Sequence, residues 1–235
     1  TDKGVSAACQ CVSVKLPCEL NGVIDQTLIS RINSQLPDDI VLHDIRRATN
    51  SFNARNDCYR RRYGYVFPVK ILDGADGPRP NETCEGKGDL RVFRLNGILA
   101  QYKGTHCFAN FTEGLKGSDD SAKRFIIDVK CGEPFLPPGS NRYFCIIDLY
   151  GQSFVLYQIR KMIGLAFAIH LGILPPETLA VALSPHLRII TPTAPALGLF
   201  LESLEFDSYN KQVGRDLQIP IAVDGTILEK KNNFK

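Results

Sequence analysis

The 235-residue sequence predicts an α+β fold: an antiparallel or mixed sheet with helices packed on one side. Three observations carry this. Arg60–Phe67, Arg124–Val129 and Tyr143–Leu149 alternate or run apolar as strands do. Ser153–Leu171 is apolar around most of its circumference and reads as a largely buried helix. The elements also mix without the strict strand–helix alternation of a parallel α/β protein, and no internal repeat is evident. A hydrophobic content of 44% suffices for a packed core, which sets the chain apart from disordered sequences.

In chain order, Asp2 and Gly4 read as a tight loop, because Gly4 tolerates backbone angles that put a sharp bend there. Cys9–Leu16 alternates and reads as a strand, ended by Pro17 and Asn21-Gly22. Ile24, Leu28, Ile29, Ile32 and Leu36 fall at helical spacing, and Pro37 ends that helix. Ile40–Ile45 reads as a strand, and Tyr59–Val69 as a β-rich run with Tyr63, Tyr65 and Phe67 on one face. Gly64 removes a side chain from the other face.

Leu72–Gly88 is rich in Gly and Pro and reads as an exposed loop and the best domain boundary. Asp89–Gln101 is a helix through Val92, Leu95, Ile98 and Leu99, and Gly104–His106 opens a loop. The strands Arg124–Val129 and Tyr143–Leu149, joined by a Pro-rich loop, suggest an antiparallel pair. Ser153 is the expected N-cap of the long helix, and Gly172 with Pro175 its stop. Pro176–Leu183 is a short helix and Leu199–Phe206 a buried strand. Asp207–Lys235 carries little pattern, and Lys230–Lys235 reads as a frayed tail. The expected organisation is residues 1–72, a linker 73–88, residues 89–207 and an extension 208–235.

Several classes of chemistry lack support. There is no phosphate-binding loop, dinucleotide fingerprint or CxxC pair, and the spacing of Cys and His shows no metal cluster. The reading is therefore one without metal or cofactor. No apolar run suggests a membrane span. The eight cysteines read as reduced thiols of an intracellular protein. Asn81-Glu82-Thr83 and Asn110-Phe111-Thr112 fit a glycosylation sequon, a frequent chance match. Arg46, Arg47, Arg55, Arg60, Arg61 and Arg62 cluster in sequence, which suits a polyanion as well as a solvated charged face.

Four residues stand out on physical grounds. Asp2 on a sharp bend is a candidate nucleophile or base, or simply a turn residue. Tyr63 is either core filling or a base-stacking ring beside phosphate-binding arginines. His106 could contact RNA or be an ordinary loop histidine. Arg160 lies within the apolar helix, where an unpartnered charge is costly. It can snorkel to solvent, pair with Asp148 or pair with Asp2, and Gly164 one turn on leaves room for another chain segment to approach.

Thr1-Asp2-Lys3-Gly4-Val5-Ser6-Ala7 resembles the (R)TDxGVxA signature of the tRNA pseudouridine synthase A (TruA-like) family. Phe52–Arg55 resembles its FxAR motif and Arg61–Tyr65 its RxYxY run. Ser153–Gly164 resembles SFxxxQxRxMxG, and Ala194–Leu201 resembles APxxGLxL. Lys3, Ser6 and the GTHxF wording of Gly104–Phe108 look like the eukaryotic branch. The Arg before Thr1 is absent and the chain starts with Thr, so it reads as a piece of a longer protein lacking its N-terminal part.

The resemblance implies two α/β halves that share a curved sheet with a cleft between them. It implies isomerisation of tRNA uridines to pseudouridine, with other RNAs as possible substrates. Asp2 is then the catalytic carboxylate and Arg160 its partner, while Tyr63 stacks on the target base. Arg55 would reach flanking phosphate, and Leu199 would line the back of the uridine pocket. The implied partner is tRNA, the protein a monomer or homodimer, and its compartment the nucleus, the cytoplasm or an organelle. The readings set against this one are a non-catalytic RNA-binding protein on the same scaffold and a carboxylate-dependent nucleoside hydrolase.

Overall fold

The structure is a computed structural model that describes residues 1–15, 26–74, 89–213 and 222–223. The chain divides into two compact units: Thr1–Ala8 with Arg60–Ser203, and Cys9–Tyr59 with Leu204–Lys235. The described strands are β1 (Ser6–Ala7), β2 (Arg60–Pro68), β3 (Gly104–Cys107), β4 (Lys123–Cys131), β5 (Phe144–Gly151), β6 (Leu199–Glu205) and β7 (Ala222–Val223). The helices are α1 (Gln26–Asn33), α2 (Leu90–Leu99), α3 (Gln158–His170), α4 (Thr178–Leu183) and α5 (Asp207–Val213). The sheet order is β1-β6-β2-β5-β4-β3, with β7 pairing on β6. β1 runs parallel to β6, while β2–β5, β4–β5 and β3–β4 are antiparallel. The fold is therefore α+β with a mixed sheet.

In the first unit, one face of β2 and β5 carries Tyr65, Phe67, Ile147 and Leu149, each at most 4% exposed. Along this face the two strands pair at Tyr63↔Leu149, Tyr65↔Ile147 and Phe67↔Cys145. This face joins one hydrophobic core with Leu95 and Leu99 of α2, Met162 and Ile163 of α3, and Leu179 of α4. Fully burying one such side chain is worth about 2 kcal/mol, so this core is the main source of the unit's stability. Polar groups inside it are paired: the Tyr102 hydroxyl donates to the Met162 carbonyl at 2.9 Å. Asn96 of α2 donates to the Cys131 carbonyl at 3.0 Å and accepts from its N–H at 2.7 Å, which ties the helix to β4. The Asp89 carboxylate caps α2 by accepting from the Arg91 N–H, and Arg91 also pairs with Asp73 and Asp89 through its guanidinium.

The opposite face of the sheet is charged. Glu202 of β6 has Arg62 and Asp148 as charged neighbours, and its Oε2 is buried without a hydrogen-bond partner among the described residues. Burial, and then the negative charge of Asp148, push the Glu202 carboxyl up, against the opposing charge of Arg62. In the unfolded chain the group titrates near 4.5. Below that value it is protonated in both states and costs nothing. As pH rises through the window up to the raised folded value, ionisation becomes a penalty on the folded state alone. Glu202→Gln is therefore expected to raise Tm at about pH 7.5, with the gain vanishing as pH falls towards the unfolded value. Thermal melts of both proteins across pH check this; a gain that persists unchanged in acid would refute the account.

In the second unit the ring of Phe52 packs against Phe206 and Tyr209 at 5.5 and 4.6 Å between centroids. The Thr49 N–H donates to the Tyr209 hydroxyl at 2.9 Å. Asn53 builds the turn that follows: its Oδ1 accepts from the N–H groups of Arg55 and Asn56, both at 3.0 Å.

Several elements differ from the sequence reading. The strand expected over Cys9–Leu16 is not formed in its described part, 9–15, and Val12 and Val14 are exposed. Ile40–Ile45 is not a strand either; its Leu42 N–H donates to the Asn33 side chain. Alternation alone does not make a strand, because each ladder needs a partner edge. The converse holds for Gly104–His106, which is not a loop: Gly104–Cys107 pairs with Lys123–Ile126 as an edge strand.

The long helix begins at Gln158, not after Ser153. The Phe154 ring packs edge-on against Tyr63 at 5.4 Å, which holds the preceding residues out of the helix. Gly172, at φ +71°, closes the helix as expected. The Gly-rich stretch Leu72–Gly88 lies outside the described residues from position 75 on, as does most of the chain after Val213.

Asn110 of the second sequon is 3% exposed. It donates both amide hydrogens, to the Ala182 and Leu187 carbonyls. In the folded chain it is a structural residue and no glycan acceptor. Among the described residues no cysteine is in a disulfide, no group of His, Cys, Asp and Glu could hold a metal ion, and no helix is long and apolar enough to cross a membrane.

Candidate active site

The segment from Pro192 to Leu199 gathers the site. It meets α3 where Gly164 has no side chain: a Cβ there would lie 2.4 Å from the Pro192 carbonyl oxygen and 3.0 Å from the Ala194 nitrogen. That close approach lets the Ala194 N–H donate to the Arg160 carbonyl at 3.0 Å. The Arg160 side chain answers, its Nε donating to the Ala194 carbonyl at 2.8 Å. One residue on, the Pro195 carbonyl accepts from the Tyr65 hydroxyl at 3.2 Å. Gly198 then passes against β2, where a Cβ would lie 2.6 Å from the Val66 carbonyl oxygen.

The Asp2 turn reaches the same segment. The Val5 N–H donates to the Asp2 carbonyl at 3.1 Å, and Gly4 takes φ +81° as the sharp bend requires. A Cβ on Gly4 would lie 3.5 Å from that of Ala196. Ser6 and Ala7 continue from the turn as β1 beside Phe200 and Leu201.

The ion pair expected between Asp2 and Arg160 is not formed among the described residues. Both side chains are half-buried. The guanidinium is held instead by the Ala194 carbonyl and by the ring of Tyr157, whose centroid lies 5.7 Å from Cζ. Its other four N–H donors have no protein partner among the described residues. Burial pushes the Tyr65 phenol up, and the nearby charge of Arg160 opposes that shift.

Tyr63 lies on the same face of β2 as Tyr65, half-buried, with its ring against Phe154. Tyr65 is core, at 4% exposure. Leu199 is 4% exposed and belongs to the hydrophobic core under the segment. Phe200 fills the space above Gly64 on the opposite face of the sheet.

Arg55 is exposed in the second unit. The six clustered arginines are divided evenly between the units: Arg46, Arg47 and Arg55 in one, Arg60, Arg61 and Arg62 in the other. Several are engaged locally, Arg46 with Asp44, Arg60 with the Tyr150 hydroxyl and Arg61 with the Gln152 carbonyl. His106 Nε2 lies 2.9 Å from the Lys103 carbonyl oxygen. An apolar groove of about 520 Å³ runs behind the segment, lined by Tyr65, Gly164, Phe167, Ala194 and Pro195, but neither Asp2 nor Arg160 lines it.

Comparison with known proteins bears on what such a site does. The profile of the tRNA pseudouridine synthase family matches residues 98–207, which include Arg160, Gly164 and the Pro192–Leu199 segment. The human pseudouridylate synthase 1 homolog is 40% identical over 92% of this chain and 48% of its own length. Residues 98–207 thus resemble a TruA-type pseudouridine synthase domain. The tRNA pseudouridine synthase 1 of Candida glabrata is 29% identical over 91% of the chain and 51% of its own length. The tRNA pseudouridine(27/28) synthase of Saccharomyces cerevisiae is 28% identical over the whole chain and 76% of its own length. The chain thus spans about half the length of the first relatives and three quarters of the last.

Within residues 98–207, sequence reasoning missed Tyr157 and the two carbonyls of Ala194 and Pro195. Nothing local marks Tyr157, which takes a left-handed backbone just before α3. The carbonyls carry no side-chain signal at all. Gly164 was the available hint, since a glycine inside a helix marks a place where another backbone comes close.

Proposed function

We propose that the protein isomerises uridine to pseudouridine in tRNA. The reaction breaks the N1–C1′ bond and joins C5 to C1′; the C5 hydrogen leaves to solvent and N1 gains a proton. Atoms and electrons balance without an added reactant. The observation that carries the reading is the guanidinium of Arg160, inside the stretch that resembles a pseudouridine synthase domain, with four N–H donors unclaimed among the described residues.

It is anchored to the same segment against which the Asp2 turn rests. An arginine so placed opposes the rise in pKa that a closing, desolvated cleft would impose on a carboxylate. Asp2 can then stay ionised and act as nucleophile or base on the ribose or base. Tyr63 would stack on the uracil and keep it in place while the glycosidic bond is open, and Leu199 would line the back of its pocket. Arg55 would bind flanking phosphate. A target base within folded tRNA must first be turned out of its stack.

The test is tritium release from tRNA carrying uridine labelled at C5, with the full-length protein. Expected are tritium in water and pseudouridine in the digest, with no free uracil. Free uracil as product would overturn the isomerase in favour of a hydrolase, and tight tRNA binding without release would leave a binding protein.

A further inference from the structure

Tyr157 is the one non-glycine residue with positive φ among the described residues, at φ 63° and ψ −2°. A side chain resists that conformation, so the surroundings must impose it. They do. Gln158 is fully buried, and its Oε1 accepts from the Val155 N–H at 2.8 Å while its own N–H donates to the Val155 carbonyl at 3.1 Å. These two bonds close a tight turn around Tyr157 just before α3. On the other side, the Lys161 N–H donates to the Tyr157 carbonyl at 3.0 Å. The residue is pinned in place, half-buried, with its ring 5.7 Å from the Arg160 Cζ.

We propose that Tyr157 is a positioning residue for Arg160. The Ala194 carbonyl holds the guanidinium at Nε, and the Tyr157 ring limits its swing through a cation–π contact. Together they leave the two terminal nitrogens for a carboxylate or a substrate oxygen. Strained backbone is retained where the surrounding fold gains from what it orients, and here it orients the arginine of the proposed reaction. The inference rests on that proposed reaction and adds to it a residue that acts through Arg160.

The experiment uses full-length protein and steady-state tritium release from tRNA. Tyr157→Leu keeps a bulky side chain but no ring, and is expected to lower kcat about tenfold with KM for tRNA within about twofold. Tyr157→Phe should restore the rate to within about threefold of wild type, because the ring face is what acts. Tyr157→Gly should melt no lower than Tyr157→Leu, since glycine accepts the left-handed backbone, yet be about as slow. On an Arg160→Lys background, Tyr157→Leu should cost no more than about twofold, because its effect runs through the guanidinium.

A Tyr157→Leu protein with wild-type kcat, or with the loss confined to KM, overturns the inference. So does a Tyr157→Gly protein as fast as wild type, or a full tenfold loss on the Arg160→Lys background. A wild-type protein that makes no pseudouridine overturns the proposed reaction itself, which separates the two failures.

Discussion

Asp2→Asn in the full-length protein is expected to lower pseudouridine formation on the order of a thousandfold or more, with tRNA affinity nearly intact. The substitution is close to isosteric and removes only the charge. The turn that carries it is made by backbone, the Val5 N–H on the Asp2 carbonyl and the bend at Gly4, so the local fold has no reason to change. The Asp2 carboxylate makes no hydrogen bond or ion pair among the described residues, so little stability should be lost with it. Tritium release, filter binding and a thermal melt on the same preparation give the three readouts. Turnover near wild type excludes Asp2 as the nucleophile. A large fall in affinity would instead make Asp2 part of RNA binding.

Gly164→Ala is expected to destabilise the protein and to slow it, although alanine is the better helix former. Helix propensity alone favours alanine by about 1 kcal/mol. Against that, its Cβ would lie 2.4 Å from the Pro192 carbonyl oxygen, a backbone atom that cannot rotate away. Relieving such an overlap costs roughly 1–3 kcal/mol. It also pulls Ala194 from α3, at about 1 kcal/mol for each of its two hydrogen bonds with Arg160. The balance is a loss of about 2–4 kcal/mol, or on the order of 10 °C in Tm. Activity should fall as well, since Arg160 loses the carbonyl that orients it. A melt that rises with this substitution would show that the segment yields freely and holds nothing in place.

Some of the fold was legible because its pattern is local and its packing agrees with it. Tyr63, Tyr65 and Phe67 alternate, and two of the three are core residues at 4% and 2% exposure. The antiparallel pairing of the strands at 123–131 and 144–151 followed from two apolar runs and a Pro-rich loop. The long helix was legible from its apolar circumference, but its first turn was not. Between Ser153 and Gln158 the chain obeys the Tyr63–Phe154 contact and the Gln158–Val155 bonds, not its own propensity. Val12 and Val14 mislead in the opposite way, with strand-like alternation but exposed side chains and no strand partner among the described residues.

The candidate site divides along the same line. Motif resemblance pointed to Asp2, Arg160 and Tyr63, and burial arithmetic said that a charge on an apolar helix needs a partner. Which partner it takes was not readable: a carbonyl 34 residues on and a ring three residues back. By itself the sequence determined the α+β class, the helical and strand periods, and the residue types that can do the chemistry, because each depends on neighbours close along the chain. Tertiary structure alone decided that β1 joins residues 60–203 in one unit, that Gly104–Cys107 is a strand, and how Arg160 is held. Those outcomes depend on backbone groups brought together across dozens of residues, and a carbonyl oxygen looks the same in every residue of a sequence.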